Sequence, residues 1–277
     1  MNAKGKVIAT DLDGTLFYPR RRFKMIAKKN IEFLRRFIDE GGRLLLVSGR
    51  NINYLNKVKT KINRPVDFAG CNGSFIYVNN QLIRHSLIDN KKLNVMLDDI
   101  KKRFSPVSIF LMCDDYNFII PKREFGLFNR FGYTVYQIYQ GIYKEEAIKS
   151  DKLLHEQLEN GKILKVMLFF GPANKAKRRS KAANKILREL YPDFEFSWSD
   201  QAIEITNASS SKALAIKVYL DYLKINHHNI MVVGDSGNDI SMFRTYENSF
   251  CMANASDEIK KYAKNQIKSV SGIEKYL

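Results

Sequence analysis

The chain has 277 residues, 45% of them hydrophobic, with 46 Lys and Arg against 29 Asp and Glu for a formal net charge of +17. That length and apolar content suffice for a full core and for two domains. No run approaches the ~18 apolar residues of a membrane span, and the opening Met1-Asn2-Ala3-Lys4-Gly5-Lys6 leads into a strand with no signal-peptide core, so a cytoplasmic protein with no membrane partner is expected.

In chain order, Val7-Ile8-Ala9 reads as a short buried strand and runs directly into Asp11-Leu12-Asp13-Gly14-Thr15-Leu16. Side chains alternate faces along a strand, so two acids one residue apart can reach one site. Their mutual repulsion is tolerable where a divalent cation neutralises them or where one is held protonated. Gly14 supplies a turn and Thr15 a hydroxyl beside the acids. Taken alone, Asp-x-Asp is equally a solvated acidic turn. Residues 27–39 carry helical periodicity closed by Gly41-Gly42, residues 44–47 form a second apolar strand, and residues 51–61 a second helix. This βαβα alternation predicts a parallel sheet with helices on both faces, whose functional groups gather outside the carboxyl ends of the strands. Ser48-Gly49-Arg50 stands at one such end, where a hydroxyl and free backbone amides suit phosphate oxygens, although a serine there is also an ordinary helix cap.

Residues 75–78, an Asn79-Asn80 turn and residues 81–83 read as a hairpin, and the chain is expected to leave the sheet near Arg84. Within the insert, residues 107–112, 118–120 and 163–170 look like strands, and residues 90–104, 144–159 and 173–190 like helices. The return is expected near Tyr191-Pro192, with Ile203-Glu204-Ile205 resuming the first sheet. Downstream, Ser209-Ser210-Ser211-Lys212 opens an amphipathic helix and sets a cation against its dipole, which is unfavourable unless an anion lies beside it. A strand over 230–233 then ends in Gly234-Asp235-Ser236-Gly237-Asn238-Asp239, which taken alone is a turn and a capped helix.

Together, these strand ends deliver carboxylates, a hydroxyl, a lysine and further carboxylates in the order that phosphoryl transfer uses. The ordered set of Asp11-Leu12-Asp13-Gly14-Thr15, Ser48, Lys212 and Gly234 to Asp239 resembles the four motifs of the haloacid dehalogenase-like (HAD) phosphatase superfamily. The long insert, the Cys71-Asn72-Gly73-Ser74 turn and the Lys212-Ala213-Leu214-Ala215 helix start resemble its Cof-type branch. The resemblance implies a Rossmann-like parallel-sheet core formed by residues 1–83 and 189–277, with an inserted α/β cap over residues 84–188 that sets substrate specificity.

Spacing leaves open which of the paired acids attacks. The resemblance implies Asp11 as nucleophile, forming an aspartyl-phosphate, and Asp13 as the acid and base. It also implies Mg²⁺ held by Asp11, the Asp13 backbone carbonyl and Asp235, with Asp239 acting from behind on a metal-bound water or on Lys212. Ser48, Gly49 and Lys212 would hold the phosphate, and Asn238 would contact phosphate or substrate. The expected function is a Mg²⁺-dependent phosphatase of small phosphorylated metabolites, with sugar phosphates leading. The alternatives are a phosphomutase on the same scaffold and a non-catalytic phosphate- or nucleic-acid-binding protein. Tyr116, Lys122, Arg123 and Arg50 are conceivable specificity residues, though each is more often a surface residue.

The charge carries its own expectation. Residues 83–188 hold 21 Lys and Arg against 11 Asp and Glu, and the remainder 25 against 18, which concentrates the excess in the insert and would draw anionic metabolites to it. Its densest run, Lys175-Ala176-Lys177-Arg178-Arg179-Ser180-Lys181, reads as a solvated helix face with Ala176, Ala182, Ala183, Ile186 and Leu187 as the buried side. With no recognised RNA or DNA module, nucleic acid is not the expected partner. The aromatic cluster Phe128, Phe131, Tyr133, Tyr136, Tyr139 and Tyr143 reads as core or cap interface rather than a stacking platform. Cys71, Cys113 and Cys251 are odd in number and widely spaced, as small core residues are, and His227-His228 as a loop pair.

Overall fold

The structure is a computed structural model, and it describes residues 3–19, 26–115, 118–121, 147–199 and 201–277. The chain divides into two compact units, residues 1–85 with 211–277, and residues 86–210.

The first unit is built on strands β1 (Val7–Thr10), β2 (Arg43–Val47), β3 (Asp67–Gly70), β4 (Phe75–Val78), β5 (Gln81–His85), β12 (Ile230–Gly234), β13 (Ser249–Met252) and β14 (Asn265–Ile267). They form one sheet in the order β14-β13-β12-β1-β2-β3-β4-β5. The pairs from β14 across to β3 are parallel, and β4 and β5 add antiparallel strands at one side. Strands β1 and β12 are buried along their whole length, the pattern of a sheet covered on both faces. On one face, Val7, Ala9, Leu45, Val47 and Val232 pack with Ala215, Ile216, Tyr219 and Leu220 of the helix Lys212–Leu223. The helices Lys28–Asp39 and Ile52–Ile62, in contact with each other, bury Phe33, Leu34, Phe37, Leu55 and Val58. Their ends are chemically specified: Asn51 Oδ1 accepts from the Tyr54 N–H at 2.9 Å, and Asn63 closes the second helix in the left-handed region at φ 53°.

The second unit holds β6 (Ser108–Cys113), β7 (Ile119–Ile120), β8 (Ile148–Lys149), β9 (Ile163–Phe169), β10 (Phe194–Ser199) and β11 (Ala202–Asn207). They form a mainly antiparallel sheet in the order β10-β11-β9-β6-β7-β8. Ile109, Leu111, Val166, Leu168, Ile203 and Ile205 share its core with Leu93, Met96, Leu97 and Ile100 of the helix Asn90–Phe104. Alternate positions on β9 and β11 carry a nearly buried ion pair, Lys165 Nζ to Glu204 Oε1 at 2.9 Å.

Both sheets and their helices match the mixed α/β fold read from sequence, but the return crossing does not. Residues 189–210 belong to the second unit, and Ile203-Glu204-Ile205 pairs with β9 and β10 rather than with the first sheet. A strand's pattern states which of its faces is apolar, not which sheet completes its hydrogen bonds. The later crossing brings five more acids into the second unit. That unit then holds 20 Lys and Arg against 16 Asp and Glu, and the first unit 26 against 13, so the positive excess sits in the first unit rather than the insert.

The basic run lies on the helix Asn174–Leu190, whose buried residues are Ala176, Ser180, Ala183 and Leu187. Ala182 is exposed and Ile186 is 44% exposed, because the buried stripe follows steps of three and four from Ala176 and passes both by. The helix expected over 144–159 spans Asp151–Asn160: residues 144–146 of its expected start lie outside the described residues, as does the aromatic cluster of 128–143, and Ile148–Lys149 form β8 instead. The three cysteines are free and buried. No helix among the described residues is long and apolar enough to cross a membrane.

Candidate active site

Parallel pairing brings four strand ends to one edge. Thr10 lies in register with Val233 on one side and Leu46 on the other, and Val47 with Ala69. The next residues along these strands therefore gather outside the same edge: Asp11 after β1, Ser48 after β2, Cys71 after β3 and Asp235 after β12. The Asp11 N–H donates to Val233 O at 2.9 Å, which ties the first acid to the strand that delivers the last ones.

Lys212 is the centre of this cluster. Its side chain is fully buried, and Nζ donates to Asp11 Oδ1 at 2.7 Å and to Asp239 Oδ1 at 2.6 Å. The anion that a first-turn lysine needs is thus present twice, while Ser211 Oγ caps the same helix through the Leu214 N–H at 3.2 Å. Burial pulls the Lys212 pKa down, but Asp11 and Asp239 outweigh it and leave the ammonium held above its usual range. Asp239 is saturated: its Oδ2 accepts from the backbone N–H groups of Asp235 at 2.9 Å and Ser236 at 3.0 Å. Asp235 accepts at Oδ1 from Thr15 Oγ1 at 2.7 Å.

Asp11, Asp235 and Asp239 each offer a carboxylate oxygen within 4.8 Å of the others. Burial raises the Asp11 pKa well above the usual carboxylate range despite Lys212, and Asp239 and Asp235 push it the same way. Burial, with Asp239 next, pushes Asp235 up to about 7. Three acids against one ammonium leave an excess of negative charge among hard oxygen donors, which is the chemistry of a site for a divalent cation.

Asp13 stands on the turn Leu12–Leu16, where Gly14 has φ 79°. Its carboxylate is gripped by Arg50, Nε to Oδ2 at 2.7 Å and Nη2 to Oδ1 at 2.8 Å. Ser48 is 1% exposed, and its Oγ accepts from the Arg50 N–H at 3.3 Å. Gly49 is half-buried beside it. The neighbouring turn, with Cys71 at φ 47° and Asn72 at φ 57°, stitches this loop down through Cys71 N–H to Arg50 O and Asn72 N–H to Ser48 O, both at 3.0 Å. Asn238 Oδ1 accepts from Ser236 Oγ at 2.7 Å, and its Nδ2 donates to Asn72 Oδ1 at 3.4 Å.

Of the residues singled out in sequence, the structure brings Asp11, Lys212, Asp235 and Asp239 into one cluster, with Asp13 and Ser48 joined through Arg50. Tyr116, Lys122 and Arg123 lie outside the described residues. Arg50 has a larger part than its surface reading gave it, and no local signal marks it, because the Asp13 carboxylate that it grips lies 37 residues away.

The family described as haloacid dehalogenase-like hydrolase matches residues 8–277 of the chain. The chain belongs to that family. Among curated HAD relatives, a phosphoglycolate phosphatase of Thermoplasma volcanium is 28% identical over 92% of this chain and 88% of its own length. A 5-amino-6-(5-phospho-D-ribitylamino)uracil phosphatase, YwtE, of Bacillus subtilis is 26% identical over 92% of this chain and 90% of its own. A solved haloacid dehalogenase-like hydrolase from B. subtilis shares the HAD fold at a TM-score of 0.78, with 22% identity over 98% of this chain and 99% of the other.

Proposed function

We propose that this HAD hydrolase is a Mg²⁺-dependent phosphatase of small phosphorylated metabolites, sugar phosphates among them, acting through an aspartyl-phosphate on Asp11. The observation that carries this reading is Lys212 held between Asp11 and Asp239 at 2.7 and 2.6 Å, with the Asp235 carboxylate beside them. Lys212 takes one Asp11 oxygen and leaves the other to attack phosphorus. In that step the Asp11 Oδ–P bond forms, the ester P–O bond breaks, and the departing alkoxide takes a proton from Asp13. Asp13 then removes a proton from the water that attacks the aspartyl-phosphate, and Asp11 is regenerated. Lys212, with the Ser48 hydroxyl and the Gly49 backbone, would hold the transferring group's oxygens, and Asn238 would orient the substrate. Mg²⁺, when bound, would neutralise the acids and polarise the phosphoryl group, held by Asp11, Asp235 and the Asp13 carbonyl. Asp239 is left to fix Lys212, because both of its oxygens already accept. The second unit, inserted between the first sheet's strands, would serve as the cap.

Relatives named for phosphoglycolate and for a phosphorylated ribitylamino-uracil support phosphate monoesters of small metabolites as the substrate class. The test is release of inorganic phosphate from a panel of phosphorylated metabolites with Mg²⁺, with EDTA, and with Asp11→Asn. Turnover should vanish with EDTA and fall about 10³-fold or more in the Asn variant, whose amide is no nucleophile. Turnover that survives chelation, or an active Asp11→Asn, would overturn the reading.

A further inference from the structure

The helix that carries Lys212 starts against the turn at residues 71–74. A β-carbon on Gly73 would lie 2.7 Å from Ser211 O and 2.8 Å from Ala215 Cβ, and the residue sits at φ 98°. Ordinary contact begins at 3.4 Å, so a methyl group there needs about 0.7 Å more room than the two segments leave. Ser211 immediately precedes Lys212, and Ala215 stands one helical turn beyond it.

Neither side of this contact has slack. The turn is tied to the loop after β2 by its Cys71 and Asn72 N–H groups, which donate to Arg50 O and Ser48 O, and it is closed by Ser74 Oγ donating to Cys71 O at 3.0 Å. On the helix side, Ser211 O accepts from the Ala215 N–H at 2.9 Å, so the oxygen that a methyl group would strike belongs to the first hydrogen-bonded turn. Ala215, Ile216, Tyr219 and Leu220 hold that helix on the sheet. Crowding at Gly73 therefore passes to the helix start and to Lys212. The ammonium has no surface through which to readjust: its side chain is wholly buried, with acceptors at 2.7 and 2.6 Å.

We propose that Gly73 is a positioning residue for Lys212: the side chain it lacks is the clearance that lets the helix Lys212–Leu223 close on the turn and seats the ammonium between Asp11 and Asp239. Gly73 touches no reacting group and acts through the lysine. The kinetic consequence rests on the phosphatase reading, and the contact itself does not. Lys212 orients the attacking carboxylate, so a shift of a fraction of an ångström weighs on kcat far more than on KM. A glycine that merely serves the fold would lower stability and leave the kcat of the folded molecules intact.

Turnover of 4-nitrophenyl phosphate and of the most active ester of the metabolite panel, with Mg²⁺ and well below the melting temperature, tests the first half. Gly73→Ala should lower kcat about tenfold or more with a much smaller change in KM. Ala215→Val crowds the same contact from the helix side without touching the turn's backbone, should lower kcat likewise, and decides alone where Gly73→Ala does not fold. An unchanged kcat in either folded variant overturns the proposal. Urea midpoints of the wild type, Gly73→Ala, Lys212→Met and the double variant test the second half without any turnover. Part of the Gly73→Ala loss should be ion pairing that Lys212→Met already lacks, so the double variant's shift should be smaller than the two single shifts added. Additive shifts overturn the proposal, and the kinetic arm decides where Lys212→Met does not fold. A wild type that hydrolyses no ester but shows coupled midpoints sinks the phosphatase reading and leaves Gly73 as the residue that seats Lys212.

Discussion

A β-carbon on Gly14 would fall 2.1 Å from Asp235 Oδ2, so the turn after the first acid pair and the carboxylate after β12 share one space. Gly14 also sits at φ 79°, where a side chain is strained even without a neighbour. Gly14→Ala therefore combines a backbone penalty of about 1 kcal/mol or more with displacement of Asp235. Urea unfolding should show the loss of stability, and titration calorimetry with Mg²⁺ a weaker affinity. An alanine variant with unchanged metal affinity would mean that Asp235 takes no part in holding the cation.

The same carboxylate sets a pH dependence. Burial, followed by Asp239, pushes Asp235 up to about 7, from 3.8 in the unfolded chain. A raised acid favours folding fully below the lower value, and that contribution is lost as pH climbs through the higher one. The metal-free protein should therefore lose stability from about pH 4 to 7, while a divalent cation, which needs the ionised form, should bind more tightly over the same rise and release protons as it does so. Thermal melts with and without Mg²⁺ at pH 5.5 and 8 should show the larger metal-induced shift at pH 8. An equal shift at both would remove this group from the coupling.

Asp11 and Asp235 were legible in sequence because each follows the end of a buried strand, as in Val233-Gly234-Asp235, and strand ends of a parallel sheet converge by construction. The grip of Arg50 was not, because its burial depends on Asp13, 37 residues away, and on a ring one helical turn ahead. Nor was the return crossing. Residues 202–207 carry the apolar character of any buried strand, and only pairing to Val166 through Phe169 assigns them to the second sheet. Non-local partners leave no local trace, and the charge balance of the two units shifted with that one assignment.

Behind the sheet's other edge, Tyr219 donates its hydroxyl to Asp67 Oδ2 at 2.8 Å and accepts from Arg43 Nε at 3.0 Å. Arg43 Nη2 reaches the same Asp67 oxygen at 2.7 Å. Burial, with Asp67 next, raises the phenol's pKa well above its ordinary 10.0. A group raised in the fold stabilises it below the unfolded value and loses that contribution as pH climbs beyond it. Stability should thus fall above about pH 10, and Tyr219→Phe should blunt that fall while costing about 1–2 kcal/mol at neutral pH through the lost hydrogen bond. Urea midpoints at pH 7.5 and 10.5 would show it, and an unchanged alkaline slope in the Phe variant would clear Tyr219 of the effect.

Among the described residues Lys212 is the cation that Asp11 and Asp239 share, and its side chain has no exposure to solvent. Lys212→Met keeps the volume of the stem but leaves two buried carboxylates facing each other. Removing one partner from a buried ion pair costs about 3–5 kcal/mol, most of it from the charge left behind. The loss should therefore be relieved by neutralising a partner, and Lys212→Met with Asp239→Asn should be more stable than Lys212→Met alone. A saturating divalent cation should relieve it too, since it supplies the missing positive charge beside Asp11. Urea midpoints for the wild type, both single variants and the double variant measure the coupling. Strict additivity would show that the ammonium and Asp239 act independently, and the account of Asp239 as the residue that fixes Lys212 would fall.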